Sequence, residues 1–162
     1  MLSYQLNLLR YFDKHERTLD GQPVDWGQYD YLTMQEIDRL RHELGSTRRE
    51  RCVLIRGSHG LLKETAIDCV FPDVPFAEVV MALFRSGFSK GIYQGGSIHL
   101  DSRMGPTGLA RAWIALKPAM YEMVVGRGFG GLRSYTNDGW DYYRFNDPQS
   151  FGLLKFLVEI NT

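Results

Sequence analysis

From Ser97 to Asp101 the chain alternates polar and apolar residues, Ser-Ile-His-Leu-Asp, directly after a Gly95-Gly96 pair. Side chains along a strand point to opposite faces in turn. Ile98 and Leu100 therefore belong to one side, while Ser97, His99, Asp101 and Arg103 belong to the other. A chain with such a segment must build a sheet that has an apolar face and a polar one. The paired glycines predict a tight hairpin joining strands at 91–94 and 97–103.

The rest of the pattern supplies helices for the apolar face. Thr33 and Glu36 match a capping box opening a helix over 34–44, with Ile37, Leu40 and Leu44 on one side and Gly45 at its end. Cys52 to Ile55 is an unbroken apolar run, hence a buried strand, and a second strand covers 65–70 before Pro72. Pro75 opens a helix whose Phe76, Val79, Val80, Leu83 and Phe84 form a continuous stripe, closed by Gly87. A further apolar run, Ala110 to Leu116, stops at Pro118. Beyond it the pattern predicts a short helix at 118–125, a glycine-rich connection at 126–131 and a turn at Asn137-Asp138-Gly139. A strand with Trp140, Tyr142 and Tyr143 follows, then a helix after Asp147-Pro148 carrying Phe151, Leu154, Leu157 and Val158. Helices before and between hairpin-connected strands give an α+β fold, a single domain over 1–162 with a small antiparallel sheet flanked by helices.

Composition narrows the function classes. Nineteen basic and nineteen acidic residues cancel, so no long-range field favours a polyanion and nucleic acid is a poor partner. The densest basic patch, Arg48-Arg49-Glu50-Arg51, reads as a solvated turn. Cys52 and Cys69 lack metal or disulfide spacing and read as small buried hydrophobes. The start of the chain has no signal-peptide pattern and no segment is long and apolar enough to insert in a membrane, so the expected site of synthesis is the cytoplasm.

Two polar groups interrupt apolar strands. Asp68 lies within Ala-Ile-Asp-Cys-Val, and a buried carboxylate needs a cation or several hydrogen bonds. His59 follows the 52–55 strand, and His99 stands on the polar face of the alternating strand. Two histidines and such a carboxylate can supply the three protein ligands of an open zinc site, with another carboxylate nearby acting as general base. The competing reading of the same strand is a solvated face with a His/Asp/Arg ion network.

Ser58-His59 followed by Ala66-Ile67-Asp68, then His99-Leu100-Asp101 and Ala110-Arg111-Ala112-Trp113, resembles the zinc DD-carboxypeptidases and peptidoglycan endopeptidases of the hedgehog-type peptidase fold. Their pattern is SxHxxGxAxD, then a strand with HxH or HxD, with RW nearby. Arg39-Leu40-Arg41 and the strand leading into Arg56-Gly57-Ser58 sit where that family has a helix and a strand entering its SGYR turn. The resemblance covers residues 30–115. His59 and Asp68 stand further apart than the family pattern has them, and Glu64 takes the place of its glycine.

The resemblance implies zinc held by His59, Asp68 and His99, Asp101 as catalytic base, and Arg56 or Arg103 holding the carboxylate of a peptidoglycan stem peptide. In the exchanged assignment Asp101 is the ligand and His99 stands beside it, and Arg103 has the alternative task of neutralising Asp101. By analogy, a small catalytic domain of this kind fits a phage virion or lysis enzyme. The alternative is a peptidase-like domain without activity, serving as a structural or protein-binding module. A protein-binding module unconnected with the family is a third reading. His15 and His42 read as surface side chains, and Trp26, Trp113, Trp140 and the Tyr142-Tyr143 pair as packing residues.

Overall fold

The computed structural model describes residues 1–45, 52–56, 65–103, 110–128, 133–144 and 148–160. A short helix α1 (Ser3–Leu6) and a 3₁₀ turn (Trp26–Gln28) precede the long helix α2 (Tyr31–Glu43). Strands β1 (Val53–Arg56) and β2 (Ala66–Val70) follow, then helix α3 (Phe76–Arg85) and the hairpin of β3 (Ser89–Tyr93) and β4 (Ser97–Asp101). The chain continues through β5 (Ala112–Leu116), α4 (Pro118–Gly126), β6 (Arg133–Asn137), β7 (Trp140–Arg144) and α5 (Pro148–Ile160).

The seven strands among the described residues form one sheet in the order β1-β2-β4-β3-β5-β7-β6, so the α+β reading holds. Every neighbouring pair is antiparallel except β3 and β5. That pair departs from the expected all-antiparallel sheet because the β3–β4 hairpin occupies one side of β3. The next strand returns on the other side, running the same way as β3. The hairpin itself closes at the predicted glycines: Gly95 and Gly96 have φ of 107° and 96°, which side-chain-bearing residues rarely adopt.

The apolar face of the sheet carries Ile67, Cys69, Ile92, Ile98, Leu100, Ile114, Leu116 and Tyr143, all nearly without solvent exposure. Helix α2 packs over β2 and β4, and α3 packs over β3 and touches both α2 and α5. Burying each such aliphatic side chain stabilises the fold by about 1.5–3 kcal/mol, which makes this layer the principal source of stability. Helix α3 presents Val79, Val80, Ala82 and Leu83 to it, in keeping with its predicted stripe.

Helix α2 begins a turn earlier than the capping-box reading. Asp30 is the N-cap, and its Oδ2 accepts from Thr33 N at 2.9 Å and from Thr33 Oγ1 at 2.9 Å. A carboxylate placed three residues before Thr33 is the stronger acceptor for the N–H at 33, and the single Thr33 hydroxyl proton lies between that carboxylate and the nearer Thr65 O, at 2.6 Å. Cys52 and Cys69 are buried free thiols, as expected of small hydrophobes. The hydrogen bond that the Cys69 thiol shares with Cys52, and then burial, push Cys69 well above its usual value. The basic patch at 48–51 lies outside the described residues.

Candidate functional site

The opposite face of the sheet carries the polar groups, and strand register decides which of them meet. Asp68 on β2 stands directly opposite His99 on β4, and Ala66 stands opposite Asp101. Residues facing each other across an antiparallel pair share a face and lie close enough for their side chains to interact. Asp68 is 6% exposed, and its Oδ1 accepts from His99 Nδ1 at 2.9 Å. An ionised carboxylate can only accept, so Nδ1 is the donor in this contact, and in the neutral form of the ring Nε2 carries the lone pair.

The row extends in both directions. The backbone of Arg56, at the end of β1, pairs opposite Asp68 after a bulge that follows Leu54. On the other side His99 pairs with Gly91 of β3, and Gly91 pairs with Trp113 of β5. The sequence thus brings Arg56, Asp68, His99, Gly91 and Trp113 into one line across five strands. His59 lies outside the described residues.

Asp101 sits two positions along β4 from His99 and is 6% exposed. Its Oδ1 accepts from Thr65 Oγ1 at 2.5 Å and from Arg103 N at 2.9 Å, and its Oδ2 accepts from Arg103 Nη2 at 2.6 Å. Burial pushes the Asp101 carboxyl upward, but the hydrogen bonds from Arg103 and Thr65 outweigh it and leave it below the usual carboxylate range. Arg103 itself keeps 37% of its side chain exposed.

Sequence reasoning missed Thr65 as a partner of Asp101. It also missed the aromatic cluster next to His99, in which Trp113 lies 5.5 Å from the imidazole and Tyr93 and Tyr142 pack edge-on against Trp113 at 5.2 and 5.4 Å. The signal was Gly91, a glycine in mid-strand, which marks a place where another group comes close to the backbone. His15 and His42 are exposed, as read.

The donor chemistry of the Asp68–His99 pair suits a divalent metal. Two atoms that ligate one zinc at ~2.0–2.1 Å with a tetrahedral angle lie ~3.3 Å apart. In the observed 2.9 Å contact Nδ1 carries the proton, so Oδ1 and Nδ1 can share a metal only if Nδ1 gives up that proton and the two atoms move apart to that spacing. Among the described residues no three His, Cys, Asp or Glu side chains gather at one point. No protein-family model, curated protein or solved structure matches this chain. No described helix is long and apolar enough to cross a membrane.

Proposed function

We propose that the chain is a zinc-dependent peptidase acting on bacterial cell-wall stem peptides, of the DD-carboxypeptidase or endopeptidase type, and that it serves a phage as a virion or lysis enzyme. The observation that carries the reading is the contact between Asp68 and His99, two metal-ligating residue types that come from separate strands and meet on the polar face of the sheet. Together with His59 they make the ligand set that the resemblance implies. Zinc, when bound, supplies Lewis-acid chemistry at neutral pH, activating water and polarising a carbonyl.

The remaining work falls to the chain. Asp68 and His99 would hold the metal from adjacent strands, with the Nδ1 proton released to solvent on binding. Asp101 takes a proton from the attacking water and returns it to the leaving amine, which it can do only when Arg103 turns away from it. Arg103 is exposed enough to do so, and its fork matches the carboxylate at the end of a stem peptide. Arg56, opposite Asp68, is the other candidate for that carboxylate.

A specific observation favours a second reading. Both oxygens of Asp101 are already occupied, by Thr65 and by Arg103, in an arrangement that suits a fixed structural ion pair better than a base. In that reading the domain keeps a peptidase-like shape and binds a protein partner without hydrolysis. Incubation with purified peptidoglycan and with synthetic stem peptides separates the two. Release of a fragment that stops on chelation and returns with zinc supports the enzyme, and no release with zinc present supports the binding module.

A further inference from the structure

We infer that Gly91 and Trp113 together form a positioning device for His99. Gly91 is the register partner of both His99 and Trp113, so these three residues lie side by side on β4, β3 and β5. A Cβ placed on Gly91 would meet Trp113 Cε2 at 2.1 Å, Cζ2 at 2.2 Å and Cδ2 at 2.3 Å. The indole therefore lies across β3, in the space that any other residue at 91 would fill. That placement brings it to His99, with ring centroids 5.5 Å apart and planes inclined at 42°.

On the side toward β2, Asp68 fixes His99 Nδ1 at 2.9 Å. The imidazole is thus held between a carboxylate and an indole. The indole is itself backed by Tyr93 and Tyr142, and Tyr93 is backed in turn by Trp140 at 5.0 Å. Glycine in mid-strand costs roughly 0.5–1 kcal/mol relative to alanine, and a sheet that needed only packing would fill this place with a β-branched residue. The departure from local preference occurs beside the histidine that the ligand reading singles out, which is where such departures mark function. Trp113 acts through His99 and is a positioning residue.

The value of this device for metal binding rests on the zinc reading; the orientation of the ring does not. In metal-free protein at mildly alkaline pH, the ring nitrogen shifts of His99 should report a single tautomer with Nδ1 protonated. In Trp113→Leu and Gly91→Ala the ring should turn away from Asp68 part of the time, so that the His99 ring-nitrogen shifts move toward the tautomer average, and Trp113→Phe should restore them. Trp140→Leu, which removes an aromatic from the same cluster without touching His99, should lower the melting temperature while leaving the His99 signals in place. Zinc affinity should fall about ten- to hundredfold in Trp113→Leu, and Trp113→Phe should recover most of it.

His99 ring-nitrogen shifts in Trp113→Leu that still report a single tautomer with Nδ1 protonated would overturn the inference, whether or not Gly91→Ala folds. Wild-type protein that binds no zinc, yet shows the expected change in the His99 signals, would sink the zinc reading and leave the positioning device standing.

Discussion

Asp101 and Arg103 form a closed ion pair at the end of β4, with Nη2 2.6 Å and Nε 3.0 Å from Oδ2. Thr65 fills the remaining oxygen, tying the start of β2 to the end of β4. Because the carboxylate is buried, removing its cation leaves an acceptor short of partners. Arg103→Leu is therefore expected to destabilise the protein by about 1–3 kcal/mol, read from the urea midpoint at unchanged slope. A change near zero would mean that the pair is loosely held and that Arg103 is free for another ligand.

The proposed roles of the two aspartates differ and can be tested separately. A ligand supplies affinity, whereas a base acts only in proton transfer. Asp68→Asn should weaken zinc binding. Asp101→Asn should keep the metal and lose peptide hydrolysis. Loss of zinc in Asp101→Asn, with zinc kept in His99→Ala, would show that Asp101 and His99 exchange roles.

Lys90 gives the fold a pH dependence of calculable sign. Its side chain is on the apolar face of β3, its residue is 6% exposed, and its Nζ donates to Ser86 O at the end of α3. Burial lowers its pKa, with Glu36 of α2 opposing. In the unfolded chain a lysine titrates near ~10.4, so between the folded value and that value the unfolded state binds more proton. Stability should therefore rise as pH climbs through the folded pKa and level off above the unfolded one. Subtracting the Lys90→Met curve from the wild-type curve should isolate that alkaline rise. Parallel curves would place the lysine's charge in water.

Legibility from sequence followed the range of the interaction. The β4 alternation, the glycine hairpin and the α3 stripe are local, and the observed elements Ser97–Asp101, Gly95-Gly96 and Phe76–Arg85 follow them closely. The buried character of Asp68 was visible too, since a carboxylate inside an apolar run is anomalous wherever the strand goes. The α2 start was misplaced because Thr33 and Asp30 both carry capping side chains, and only geometry chooses between them. What could not be read was pairing across the sheet. The parallel β3–β5 contact, and with it the approach of Trp113 to His99 over Gly91, depends on a strand returning from the far end of a connection. Periodicity reports which face a residue takes, not which strand lies next to it.

The central claim is that Asp68 and His99 hold a metal. Elemental analysis of protein purified without a histidine tag, combined with thermal unfolding before and after a strong chelator, tests it most directly. A metal bound only by the native state must raise its stability, so removal has to lower the melting temperature. The account predicts about one zinc per chain, a fall in melting temperature on chelation, and neither in His99→Ala. Protein that carries no metal, takes up none when zinc is added and melts at the same temperature with and without chelator would contradict it.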